Sequence, residues 1–394
     1  MEDVASPPAS RSNSSNPPDC SVVIPTYNGR VWLEGVLASI RRHWPDPQRL
    51  TLEVIVADDA STDGTASWLA NAYPEVVVVR NPVNQGFCGA ANLGLSVARG
   101  RVVQLLNNDT EVTEGWIEHA LIHFDDPDVG AVAPLVVLMG RPDLIDAAGD
   151  GYSLAGLPYN RLSHHPSASV ADTGPIEVFG ASASAAFYRG EVLRDLGGFN
   201  RAYGSYYEDV ELAFRIRWAG YRCVFEPSCR VKHHGHASYD HRKPRLHRRV
   251  ARNGERLFWS CAPRSWIAAG LAFRLAYLSL NMARGLSNGR TWSILGGLVD
   301  AWSDPGSMWR RRRENLALAA RRGRSPRMGA WPVLFPTREV RAMRRHLGTP
   351  GTNASAIPRP HPPTLASARE FSKVHATTVP GGPEGVSTNP PPRP

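Results

Sequence analysis

An α/β fold built on a mostly parallel sheet is predicted by three segments near the front of this 394-residue chain. Ser21–Asn28 (SVVIPTYN), Glu53–Thr65 (EVIVADDASTDGT) and Val102–Asp109 (VVQLLNND) each run apolar and then stop abruptly in small polar and acidic residues. A continuous apolar run of this length reads as a strand buried on both faces, as in a parallel sheet. Stretches of helical periodicity lie between the runs, and strand–helix alternation means βαβ units. The strand ends then carry Asn28, Asp58, Asp59 and Asp109 to one crevice, where open α/β sheets bind ligands.

Each element has its own warrant. After the strand Cys20–Thr26, apolar residues Val31, Leu33, Val36, Leu37 and Ile40 recur at helical spacing and predict a helix over 30–43. Leu52–Ala57 is the second strand, with Ser61 or Thr62 expected to cap a helix ending at Tyr73. Val76–Val79 is a third strand. The segment NQGFCGAANLG from Asn84 leads into a helix ending at Arg99-Gly100, and Val102–Leu106 is a fourth strand. A helix is expected over Glu114–Phe124 and a strand over Gly130–Leu138. The stretch Gly140–Thr173, with scattered Gly, Pro, Asp and His, reads as loop. Glu177–Phe187 is expected to pair as a strand beside a cleft. Helices follow at Glu191–Leu196 and Glu208–Ala219, the latter closed by Gly220, then a strand at Tyr221–Phe225. Lys243 to Arg322 is helical and basic.

These elements divide the chain into a leader (1–19), an α/β domain (20–240), a basic helical region (241–347) and a Pro-rich tail (348–394). Leader and tail are expected to be disordered. The net charge of +9 is unevenly spread. Residues 241–347 hold 23 Lys and Arg against 5 Asp and Glu, a net of +18, which leaves −9 elsewhere. A basic rear of this kind suits an anionic surface. Trp259, Trp266, Phe273, Tyr277, Trp292, Trp302 and Trp309 alternate there with Arg-rich runs, a pattern expected at a lipid interface. The alternative is helices packed on the α/β domain or on a second subunit of a homo-oligomer. The apolar stretch Trp266–Met282 contains Arg274 and Asn281 and falls short of the ~20 residues of a spanning helix, so none is expected. The five cysteines form no CxxC, which fits reduced thiols in the cytoplasm and excludes a disulfide framework. No nucleic-acid recognition motif accompanies the arginines.

Four motifs carry chemistry. Asn107-Asn108-Asp109-Thr110 ends a buried strand. Its carboxylate either caps the helix expected after Thr113 or holds a hard divalent cation on a diphosphate. Asp58 and Asp59 are adjacent acids at a strand end, suited to ribose hydroxyls or a base edge, or else a polar turn. Tyr206-Tyr207-Glu208-Asp209 opens a helix, where acids meet the helix dipole. A carboxylate among aromatics can also gain the basicity of a general base. Val231–Ser238 (VKHHGHAS) places three imidazoles in four positions, one of which can complete a metal shell begun by Asp109.

Taken in order, SVVIPTYN, DDASTDGT, NxGFxGAxNxG, LLNNDT, GGF…YYEDVELAFRIRWAGYR and VKHHGHAS resemble the family 2 glycosyltransferases with a GT-A fold, in particular their rhamnosyltransferase-like branch. The resemblance implies a Rossmann-like nucleotide-diphospho-sugar transferase domain followed by the basic helices. It implies that Pro25, Thr26, Asn28 and Asp59 contact the donor nucleoside with Asp58 in support, and that Asn84, Gly86 and Asn92 line the donor pocket. Asp109, beside Asn107 and Asn108, and His233 would hold Mg²⁺ or Mn²⁺. Asp209 would be the catalytic base with Glu208 beside it, and Gly180 and Ala181 would border the acceptor. The implied activity is inverting transfer of a sugar from TDP-rhamnose or a UDP-sugar to a hydroxyl of a glycan or lipid-linked acceptor in cell-envelope or polysaccharide synthesis. The expected location is the cytoplasm or, peripherally, the inner face of the cell membrane. Many relatives carry two acids where this chain has Asp109 alone, and the QxxRW motif of processive synthases is absent, so a single addition is favoured. The rival reading is a nucleotide-sugar-binding module without catalysis. A sugar nucleotidyltransferase would need a Gly-rich basic phosphate loop after the first strand, which the chain lacks.

Overall fold

The computed structural model describes residues 16–235, 244–286 and 289–328. The expected disordered leader up to residue 15 and the tail lie outside the described residues, as does His236. In chain order the elements are β1 (Cys20–Thr26), α1 (Arg30–Arg42), β2 (Leu52–Asp58), α2 (Thr65–Ala72), β3 (Val77–Arg80), α3 (Gly86–Val97), β4 (Val102–Leu105), β5 (Thr110–Val112), α4 (Glu118–Leu121), β6 (Val129–Leu138) and β7 (Arg141–Ala147). There follow β8 (Asp150–Tyr152), β9 (Pro158–Asn160), β10 (Ile176–Val178), β11 (Phe187–Arg189), α5 (Gly190–Asp195), α6 (Glu208–Trp218), β12 (Arg222–His233), α7 (Pro244–Cys261), α8 (Arg264–Leu286), α9 (Arg290–Trp302) and α10 (Pro305–Arg322).

The main sheet runs β10-β12-β6-β11-β4-β1-β2-β3, with β5 beside β12 and β7 beside β6. Its β4-β1-β2-β3 half is parallel throughout, as the apolar runs predict. The other half is mixed: β11 lies antiparallel between β4 and β6, and β12 runs parallel to β6. Alternate residues of β1 enter opposite cores, Val22 and Ile24 on one face and Val23 on the other, and all three are fully buried. Burial of each such side chain stabilises by about 1.5–3 kcal/mol. α3 can press close to the sheet because it is built from small residues. A Cβ on its Gly94 would stand 2.3 Å from Val23 Cγ1.

Several elements differ from expectation for identifiable reasons. Glu114–Phe124 is a short helix, Glu118–Leu121, running into a 3₁₀ turn, since Gly115 sits at φ +68 and delays the start. Gly140–Thr173 holds three strands as well as loop. Its polar residues obscure them: β7 is an edge strand with exposed Arg141 and Asp143, and β8 and β9 form a separate hairpin. Glu177–Phe187 forms only the ends of two strands, β10 and β11, and residues 180–185 between them form a loop. The strand expected at 221–225 continues to His233 through an irregularity between Glu226 and Arg230 that absorbs Pro227. Neither Ser61 nor Thr62 caps α2. The N-cap is Gly64 at φ +79; Asp63 before it accepts from the Thr65 amide at 3.1 Å, while the Ser61 hydroxyl accepts from the Asn28 amide. α8 is 23 residues, longer than the apolar stretch alone, and by length and composition suffices to cross a membrane.

A third core cluster joins the α/β domain to the helices behind it. Tyr152, Phe179, Tyr203, Val210, Phe214 and Trp218 pack with Leu257, Cys261 and Trp266. The Trp218 indole donates to the Cys261 carbonyl at 2.8 Å.

Candidate active site

The residues singled out in sequence gather at the C-terminal edge of β1, β2 and β4 and in two loops beside it. The turn after β1 is locked to the turn after β2. Asn28, at φ +50, accepts from the Thr62 amide at 2.7 Å and donates its own amide to Ser61 Oγ at 2.8 Å. Thr26 Oγ1 accepts from Asn108 Nδ2 at 2.9 Å, which joins the β1 and β4 ends; Pro25 is buried behind them.

Asp58 and Asp59, expected to turn toward a ligand, both have protein partners. Asp58 accepts from the Ser61 amide at 2.9 Å and pairs with Arg80 at 3.2 Å. Asp59 accepts from Asn81 Nδ2 at 2.8 Å, the Gln85 amide at 2.9 Å and the Gly86 amide at 2.8 Å. Its carboxylate therefore shapes the 81–86 loop, in which Asn84 is exposed and Gly86 takes φ +74. Asn92, expected in the donor pocket, bonds the Phe199 backbone. It donates to the Phe199 carbonyl at 2.7 Å and accepts from the Phe199 amide at 2.8 Å, tying α3 to the loop after α5.

Asp109 and His233 do come together. His233 Nε2 lies 3.3 Å from Asp109 Oδ1, and His233 Nδ1 lies 2.7 Å from Asp146 Oδ2. Burial alone would depress this imidazole; the two carboxylates outweigh it and raise its pKa to about 10. Burial pushes Asp109 up and His233 more than offsets this, for a net lowering. Asp109 Oδ1 is buried and has no well-aligned hydrogen-bond donor. Asp109 and His233 are the residues that could hold a divalent cation, with Asp146 supporting the imidazole from behind, and taking one up would require His233 to release its proton. Among the described residues no three His, Cys, Asp or Glu side chains converge on one point. Such a cation would depend on substrate phosphates and water for its remaining ligands, as Mg²⁺ commonly does.

The second centre opens α6. Asp209 is half-buried, accepts from the Ala183 amide at 3.2 Å and the Val210 amide at 2.8 Å, and lines a narrow cavity with Gly180, Ala181 and Tyr188. Glu208 is buried with Oε2 unpartnered. Burial raises the pKa of Asp209, partly offset by the two amides. Burial and then the Asp209 charge raise Glu208 well above the carboxylate range. The 180–185 loop links the two centres, because Ser184 accepts from the Asn107 amide at 2.9 Å while its neighbour Ala183 donates to Asp209.

Sequence reasoning missed three residues. Asp150, buried in β8, has one orphaned carboxylate oxygen and is raised well above its ordinary range, by burial first and then by Asp209 and Glu208. Asp146 supports His233. Asn253 on α7 donates to the carbonyls of Tyr203, Ser205 and Tyr206, fixing the turn in which Tyr206 and Tyr207 both take φ +70. Asp146 and Asp150 lie in the stretch read as loop, and Asn253 in a region read for charge alone.

The edge of the parallel sheet, the buried Asp109–His233–Asp146 cluster and the carboxylates that open α6 are thus joined through the 180–185 loop. Residues 21–197 match the family model described as Glycosyl transferase family 2. It is 31% identical over 225 residues to the pre-mycofactocin glycosyltransferase of Mycobacterium tuberculosis, a match covering 55% of this chain but only 42% of that protein, so the chain spans under half of this relative. It is 26% identical over 314 residues to the N-acetylglucosaminyl-diphospho-decaprenol L-rhamnosyltransferase of the same organism, over 70% of this chain and 97% of that one. The crystal structure of S. aureus TarS 1-349 in complex with UDP-GlcNAc shares the fold, with a TM-score of 0.50 and 17% identity over 78% of this chain and 92% of that one.

Proposed function

We propose that this protein is an inverting glycosyltransferase that moves a sugar from a nucleotide-diphosphate donor, TDP-rhamnose or a UDP-sugar, to a hydroxyl of a glycan or lipid-linked acceptor in cell-envelope synthesis. The observation that carries the reading is the 180–185 loop, which holds a raised carboxylate at one end and the Asp109 strand end at the other. Asp209 takes the proton of the acceptor hydroxyl as its oxygen attacks the anomeric carbon. The bond to the diphosphate breaks on the opposite face, and the nucleoside diphosphate leaves with the electron pair. The raised pKa of Asp209 strengthens it as a base. Amides of Ala183 and Val210 aim its two oxygens. Asp109 and His233 would hold a divalent cation, which when bound supplies positive charge to the departing diphosphate. Similarity to the N-acetylglucosaminyl-diphospho-decaprenol L-rhamnosyltransferase supports a rhamnosyl-type donor and a lipid-linked acceptor.

The test is a binding panel of UDP, TDP and GDP with Mn²⁺, Mg²⁺ or EDTA, run on wild type, Asp109→Ala and Asp209→Asn. One nucleotide should bind in a metal-dependent way, lose affinity in Asp109→Ala and retain it in Asp209→Asn. Transfer should fall by about 10²–10⁴ in Asp209→Asn, the contribution typical of a positioned base. Full transfer by that variant would remove Asp209 from the chemistry. Binding without transfer in wild type, on any acceptor tried, would favour the non-catalytic module.

A further inference from the structure

We propose that the outward face of α8 is a docking surface for an anionic lipid bilayer. The inward face of this helix is committed to the protein. Trp266, Gly270 and Arg274 are buried against it. Gly270 lets the helix close onto the 152–157 turn, since a Cβ there would stand 1.9 Å from the Leu154 carbonyl oxygen. Arg274 donates to Glu255 Oε2 at 2.5 Å and to the carbonyls of Ala155 and Gly156 at 3.3 Å. The sole charge between Arg264 and Arg284 is thereby turned inward and neutralised. The remaining outer face is uncharged along five turns. Leu271, Leu275, Ala276 and Leu280 lie on it, with Leu275 56% and Leu280 55% exposed. Arg264 and Arg284 bracket the face and are themselves exposed. The adjoining α9 leaves Trp292 78% exposed.

Charge decides the occupant. Residues 244–328 hold 17 Arg against 4 Asp and Glu. A bilayer with anionic headgroups offers both an apolar layer for the leucines and negative charge for the rim, at about 1 kcal/mol per arginine near the surface. A second copy related by a two-fold axis would instead set one basic rim against the other. The helix lies on the bilayer and does not cross it, because its Trp266–Gly270–Arg274 stripe is docked on the α/β domain. That docking is next to the candidate site: a Cβ on Gly254 of α7, in the same helical layer, would stand 3.5 Å from Tyr207 Cε2, on the residue before Glu208. Lipid docking requires none of the transfer chemistry.

The experiment is flotation of the full chain with vesicles of phosphatidylcholine alone or mixed with phosphatidylglycerol, at low and high salt, for wild type and Leu275→Glu/Leu280→Glu. Light scattering gives the mass of each in solution. Wild type should float only with phosphatidylglycerol present, less at high salt, and the double variant should lose at least about tenfold in affinity. Its thermal midpoint and nucleotide binding should match wild type, which separates lost docking from lost folding or a failed donor site. Three results would overturn the proposal: wild type that stays unbound on anionic vesicles at low salt, a double variant that floats as well as wild type, or a wild-type dimer that the double variant splits and that binds no vesicles.

Discussion

Asp150 has a buried carboxylate oxygen that no donor meets, in the company of two other acids. Burial and like charge disfavour ionisation of the group, so its folded pKa lies well above that of the unfolded chain. Linkage sets the sign. A group whose pKa is raised by folding gives its full stability below the unfolded carboxylate range and loses it as pH rises through the folded value. Asp150→Asn keeps the shape and removes the titration. Its thermal midpoint should match wild type near pH 4 and exceed it at pH 8, read by scanning calorimetry at both values. Asp150 feels the Asp209 charge and is still protonated while Asp209 ionises, so the acid limb of the kcat/KM profile should stay in place in this variant. A limb that moves to lower pH would show that Asp150 carries charge when the base titrates. Neighbouring acids in sequence had different fates. Asp58 and Asp59, read as ligand groups, also hold Ser61, Arg80, Asn81, Gln85 and Gly86, contacts made across loops that spacing alone does not reveal.

At the scale of elements, the parallel half of the sheet was legible because burial on both faces leaves an unbroken apolar signature, as β1 and β2 show. β7, β8 and β9 were not, because an edge strand and a small hairpin keep polar residues on their outer side, and their pairing is set by partners elsewhere in the chain. The helix α6 was plain from its own periodicity, yet the turn that aims its first residues depends on α7. Two successive residues at φ +70 that are not glycine cost about 1–3 kcal/mol each. The Asn253 side-chain amide offsets that cost by bonding three carbonyls of the 203–206 turn. Asn253→Ala leaves those buried carbonyls short of donors and should cost about 2 kcal/mol of stability. The turn would relax and Glu208 and Asp209 would lose their aim. We expect kcat to fall about tenfold or more while donor affinity holds, measured by steady-state kinetics beside nucleotide titration. Equal losses in donor binding and kcat would mean a general loosening of the domain.

Across the whole molecule, the composition divides the chain near residue 240 into an acidic front and a basic rear, and the packing crosses that line. Trp266 lies 6.4 Å from the rings of Tyr152 and Phe179 and 6.2 Å from Phe214. Arg324 and Arg327 both reach Asp128. The outer side of α6, with Val210, Phe214 and Trp218, is therefore core only while α7 and α8 cover it. Uncovering these residues and removing Leu257 and Trp266 forfeits about 1.5–3 kcal/mol per large side chain, against a total stability of about 5–15 kcal/mol. A fragment of residues 16–238 should consequently lose its cooperative thermal transition and its near-UV circular dichroism, although it holds Asp109, His233 and Asp209. A fragment of residues 16–328 should keep both. A cooperative melt of the shorter fragment with nucleotide binding intact would show that the α/β domain is self-sufficient, and the helical layer would then have only its outward face to account for it.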